Sequence, residues 1–221
     1  MISFVRIALG CLIAASTTVA SAKPSDKSSA KVLDVARSFE DGGGYIWEGG
    51  SGVPRAIEFD GAMILPAQKK GTYCSGFTFS VVMETAQQRG LLRGKNAEEV
   101  RRFQKEWYGI PKEAAETQCA LAVENLGIGR HIKKLSDAEP GDFIQLWRIN
   151  KSGHSVVLVE WIHDKGQVVG FKYRSSQKST DGIGDRVEYF SDAPGRDGKV
   201  LRERTYAARL NEVSIQSAAR R

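Results

Sequence analysis

The sequence predicts an α+β domain in which helices come first and an antiparallel sheet follows. Three observations carry this. Apolar residues recur at helical spacing between Cys74 and Gly127, the period changes at Pro140-Gly141, and the later apolar runs are separated by turns such as Ser152-Gly153 and Asp164-Lys165-Gly166. A length of 221 residues suits one domain, or at most two small ones, with a core of its own.

The elements follow in order. Residues 1–22 read as a secretory leader: Arg6, an apolar run from Ile7 to Ala15, then small residues ending Ala20-Ser21-Ala22. The run falls short of the roughly 20 apolar residues of a bilayer span, so no stable membrane insertion is expected after cleavage. The chain is expected to be secreted or periplasmic. Residues 23–30 are polar and Ser-rich and read as a linker, 31–215 as the folded domain and 216–221 as a frayed tail. Val32, Val35, Ala36 and Phe39 mark a short helix over 31–39. Glycines at 42–44, 49, 50 and 52 surround Tyr45-Ile46-Trp47, a loop in which backbone lies close to something else. After Cys74, Phe79, Val82, Met83 and Ala86 form one helical stripe, which Gly90 ends. Asn96 and Glu99 have the spacing of a capping box, ahead of Val100, Phe103 and Trp107. A third helix is expected from Pro111, with the stripe Ala115, Cys119, Ala122 and Leu126, closed by Gly127. Strands are expected over 143–149, 154–162 and 167–177, with a last one within 201–210. Gly182, Gly184, Pro194, Gly195 and Gly198 read as loop.

The net charge of +6 permits an acidic partner, but the basic residues are scattered and no nucleic acid is expected. No metal or cofactor is expected either. The chain has no Cys-x-x-Cys pair, no His-Glu-x-x-His and no phosphate-loop signature. Protein partners are not specified by the sequence.

Cys74 is the candidate nucleophile. It stands directly before an apolar-periodic helix, where unpaired N–H groups and the helix dipole favour thiolate over thiol. Ser75 and Gly76 leave room for backbone and substrate, and the N–H of Cys74 or Ser75 could stabilise an oxyanion. Cys119 falls on a helical stripe and reads as a small buried hydrophobe. Of the histidines, His131 sits among cations and His163 in a turn. His154 opens a strand after Gly153 and is the candidate base. His154 and His163 have opposite parity on one strand, so a single site can use only one of them. The orienting group is sought on the next strand, where Tyr173, Ser175 and Gln177 share a face. Gln177 is preferred because its amide oxygen can accept from an imidazole N–H, and Ser175 is second.

Three segments then resemble the NlpC-type cell-wall peptidases, a family of papain-like cysteine hydrolases. Tyr45-Ile46-Trp47-Glu48-Gly49-Gly50 is similar to the family's Tyr-x-Trp-Gly-Gly segment. Cys74-Ser75-Gly76-Phe77 is similar to its Asp-Cys-Ser-Gly motif. Pro140-Gly141-Asp142-Phe143 with Gly153-His154-Ser155-Val156-Val157 resembles its Pro-Gly-Asp-Leu…His-Val strand pair. Two positions depart: Tyr73 stands where the family has an acid before the nucleophile, and Glu48 replaces the first Gly of a pair. The resemblance implies a papain-like fold with the helices packed on the sheet, Cys74 as nucleophile and His154 as base. It implies amide bonds of peptidoglycan peptides as substrate. Tyr45, Trp47, Tyr73, Ser75 and Ser175 are the candidate substrate-binding positions.

The expected chemistry is acyl transfer from an amide to the Cys74 thiolate and then to water, with transfer to an amine as an alternative. The rival reading is a non-catalytic secreted module with a Cys74–Cys119 disulfide, a closure that would stabilise by roughly 4 kcal/mol on the chain-entropy view.

Overall fold

The computed structural model describes residues 27–212; the expected leader and tail, and the start of the linker, lie outside the described residues. Among the described residues, helices α1 (Lys27–Arg37), α2 (Cys74–Gln88), α3 (Ala97–Trp107) and α4 (Cys119–Leu126) accompany nine strands. These are β1 (Gly42–Gly43), β2 (Ile57–Phe59), β3 (Ala62–Leu65), β4 (Gly129–Ile132), β5 (Phe143–Arg148), β6 (Gly153–Asp164), β7 (Gln167–Gln177), β8 (Gly182–Tyr189) and β9 (Val200–Leu210). Seven of them form one sheet in the order β1-β8-β7-β6-β5-β9-β4, and every pairing in it is antiparallel. β2 and β3 form a separate hairpin. The fold is α+β, with a large antiparallel sheet.

Side-chain alternation explains why β5 and β6 read as nearly unbroken apolar runs. Phe143, Val157 and Ala208 point to a core shared with the helices, while Ile144, Leu146, Val156, Leu158 and Phe171 build a second core on the opposite face. Both faces of the central strands are therefore covered, and polar alternation is lost. α2 is the hub of the first core: Phe77, Phe79, Val81 and Val82 are wholly buried, so this helix is apolar on more than one side. α3 starts where the capping box places it. The Asn96 side chain accepts the Glu99 N–H at 3.0 Å, and the Glu99 carboxylate takes the Asn96 N–H at 2.9 Å.

Three expectations need correction. α1 begins at Lys27, inside the segment read as linker. The third helix is broken. A 3-10 turn covers Lys112–Ala114, and α4 starts only at Cys119, after Gln118 at φ 36°. The cause is tertiary. The Glu116 carbonyl accepts from Trp147 Nε1 at 2.8 Å, and its carboxylate is held by Arg204 at 2.7 and 2.8 Å and by the Tyr206 hydroxyl at 2.9 Å. These contacts draw the chain out of helical register ahead of Cys119. Gly127 does close α4, at φ 75°. Finally, the glycines at 182 and 184 lie in a strand, β8, which joins β7 to β1. An added Cβ on Gly182 would lie 2.1 Å from the Gly42 carbonyl oxygen, so the residue that reads as loop punctuation permits a close strand pairing.

Candidate active site

The β6–β7 ladder ends at Val157 and Arg174, so the first residues of β6 and the last of β7 lie beyond it. β7 continues alongside β8 as far as Gln177 and Gly182. The site occupies this end of the sheet. Tyr45, Trp47, Cys74, Arg148, Ser152, Gly153, His154, Gln177 and Arg186 line one cavity of about 370 Å³.

Cys74 reaches the cavity because α2 starts there. Its cap, Tyr73, is extended and offers no side-chain acceptor to the first-turn N–H groups. The start of α2 is pressed against the glycine loop: a Cβ on Gly76 would fall 2.1 Å from the Gly52 carbonyl carbon. Gly76 therefore serves backbone approach. Thr72 Oγ1 and Ser176 Oγ are 2.7 Å apart and tie the chain ahead of Cys74 to β7. On the far side, buried Arg174 donates to the carbonyls of Ala36 and Phe39 at 2.9 and 2.8 Å and pairs with Asp41 and Asp185. That cluster seats the Gly42–Gly44 segment against β8, and Tyr45 follows directly into the cavity.

The imidazole is held by a chain of hydrogen bonds with a definite direction. The Gln177 amide nitrogen donates to Thr180 Oγ1 at 2.5 Å and to the Gly184 carbonyl at 3.2 Å. Thr180 Oγ1 spends its own proton on the Gly182 carbonyl at 2.7 Å, so it must accept from the amide. Gln177 Oε1 is thereby turned to His154 Nε2, 3.3 Å away, and Nε2 must carry the proton. In the neutral imidazole, Nδ1 is then a free base. Tyr173 packs edge-on against the ring at 5.5 Å.

Charge around the site differs from the sequence expectation. Burial pushes the Cys74 thiol up, against N–H groups of Ser155 and Ser75 and the Ser75 hydroxyl at 3.9 Å, which pull it down. The expected resting thiolate is therefore not found: the helix start that should lower the pKa is itself buried, and desolvation wins. Burial, followed by the Arg148 charge, holds the His154 imidazole down at about 3. The resting pair is thiol and neutral imidazole. Among the described residues, no hydrogen bond joins Sγ directly to the imidazole, as is common before a substrate is in place.

Behind His154 lies an ion cluster that sequence reasoning missed. Arg148 grips Glu188 with two bonds of 2.7 and 2.6 Å, and the Tyr173 hydroxyl adds a third at 2.6 Å. Burial opposes the Glu188 charge, but Arg148 and Tyr173 bring its carboxyl down to about 2. Only alternation could have flagged the cluster, since Arg148 and Glu188 are forty residues apart in sequence.

The other candidates separate cleanly. Tyr45 and Trp47 line the cavity, Trp47 being 62% exposed. Tyr73 is buried below Trp47 and donates its hydroxyl to the Gly50 carbonyl at 3.0 Å, so it props the glycine loop. Ser75 is buried beside the sulfur. Ser175 is wholly buried and donates to the Ser155 carbonyl at 2.6 Å; it braces β7 to β6 and is not the orienting group. Cys74 and Cys119 are both free thiols, so the disulfide of the rival reading is not formed. Burial raises Cys119 to about 12.

Comparisons with family models, with curated proteins and with solved structures each found no match.

Proposed function

We propose that this protein is a cysteine hydrolase of amide bonds, with a papain-like arrangement, acting outside the cell on peptides of the bacterial wall. The observation that carries the chemistry is the Thr180–Gln177–His154 chain, which leaves Nδ1 unprotonated in the same cavity as a free cysteine at a helix start. That is what a nucleophile, a base and an orienting group require. The wall-peptide substrate rests on the sequence resemblance alone, and the extracellular setting on residues 1–22.

The thiol is not ionised at rest, so deprotonation accompanies attack. Sγ bonds to the amide carbonyl carbon as Nδ1 takes its proton. N–H groups at the start of α2 would serve to stabilise the developing oxyanion. The imidazolium, steadied by Gln177 on Nε2, passes its proton to the amide nitrogen, and the C–N bond breaks. Water then adds to the thioester with His154 again as base, which releases the acid and restores the thiol. An amine in place of water would give acyl transfer.

Mass spectrometry of purified wall fragments incubated with wild type and with Cys74→Ala tests the reading. New peptide termini with wild type, absent with the variant, are expected. Equal digests, or none with either protein, would refute it.

A further inference from the structure

Among the described residues, the cavity beside Cys74 is lined by two guanidinium groups, Arg148 and Arg186, and by no carboxylate. One anion, Glu188, stands behind them. Its side chain is only 8% exposed, and it is taken up by Arg148 at 2.6 Å, by Tyr173 at 2.6 Å and by Arg186 at 3.7 Å. Two cations against one buried anion leave the mouth of the cavity positive. Arg148 is also fixed in place: Glu188 engages Nε and Nη2, and Nη1 lies 3.4 Å from Ser152 Oγ, another lining residue. Arg186 Nη1 rests on Ser179 Oγ at 3.2 Å, and its side chain is 42% exposed. A guanidinium already held by a partner loses little freedom when it binds an anion; Glu188 takes the Nε–Nη2 edge of Arg148, so a carboxylate would meet its Nη1 side, beside Ser152, and the planar fork of Arg186.

We propose that Arg148 and Arg186 form an anion subsite beside the nucleophile, which selects substrates carrying a carboxylate next to the scissile amide. The proposal rests on the cysteine hydrolase reading for the word substrate, but the subsite itself can be probed without turnover. An anion seated there has a second effect. Arg148 and Arg186 both disfavour a charged imidazole at His154, and a bound carboxylate offsets them as the imidazolium forms. Loss of the carboxylate should then lower kcat as well as raise KM.

The test alkylates Cys74 in the folded protein with iodoacetate and with iodoacetamide, which differ in charge at similar size, and maps the modified cysteine by peptide mass spectrometry. The ratio of the two rates cancels any change in thiol reactivity. The ratio is expected to fall about tenfold or more in Arg186→Gln, the range by which a cleft of one charge concentrates an opposite ion. Arg130→Gln removes the same charge from exposed β4, at the far edge of the sheet, and should leave the ratio unchanged. An equal ratio in wild type and Arg186→Gln, or an equal fall in Arg130→Gln, overturns the subsite. So does failure of native Cys74 to react with either reagent. A clear preference for iodoacetate with no cleavage of wall peptides would refute the hydrolase and leave the subsite standing. Cleavage of wall peptides without any such preference would do the reverse.

Discussion

Acidification should expose the neutral state of His154 as a stability effect. Burial and the Arg148 charge hold its imidazole at about 3 in the fold, against 6.5 for the ordinary group. Between those values the unfolded chain binds a proton that the folded chain refuses, so stability rises with pH across the window and is lost as pH falls. From pH 7 to pH 4 this single group should cost about 3 kcal/mol, which in a domain of this size is about 6–12 °C in Tm. Glu188, lowered to about 2 from 4.5, adds to the acid loss chiefly below pH 4.5 and persists in any His154 variant. The assay is thermal unfolding of wild type and His154→Gln at half-unit steps from pH 7 to pH 4. His154→Gln should lose less stability on acidification than wild type by about 3 kcal/mol, whatever its stability at neutral pH. Parallel curves for the two proteins would refute the claim that the imidazole is held neutral.

Other predictions follow from single contacts. Thr180→Val removes the acceptor that orients the Gln177 amide. It should lower kcat about 10–100-fold with little change in KM, measured on wall peptides. Gly76→Ala drives a Cβ into the Gly52 backbone, 2.1 Å away, and should cost about 3 kcal/mol or more in denaturant unfolding. Cys119→Ala empties space in the helix-side core, and should cost about 1–2 kcal/mol while leaving wall-peptide cleavage intact.

The sequence pattern carried the elements whose signals are local. The capping box of α3, the stripe of α2 and the strand runs of β5, β6 and β7 are all written in consecutive residues. Gln177 was legible too, because parity on β7 places it on a chosen face. What was illegible depends on distant partners. Residues 182–189 form a strand because β7 and the Gly42–Gly43 backbone flank them, and their glycines, needed for that close pairing, look like loop. The break before Cys119 follows from Glu116 reaching Trp147, Arg204 and Tyr206. The Cys74 thiol was expected to ionise from its place at a helix start, but the glycine loop and β6 bury it, and only the assembled fold reveals that the desolvation wins. Arg148 and Glu188 carry no local sign of facing each other.

The central claim is that a covalent bond forms at the Cys74 sulfur. Intact-protein mass spectrometry on wild type quenched in acid during turnover of wall peptides tests it most directly. A mass increase equal to the acyl half of the substrate, mapped to the peptide holding Cys74 and lost in Cys74→Ala, is the predicted result. Continued cleavage by Cys74→Ala, with no adduct on wild type, would contradict it.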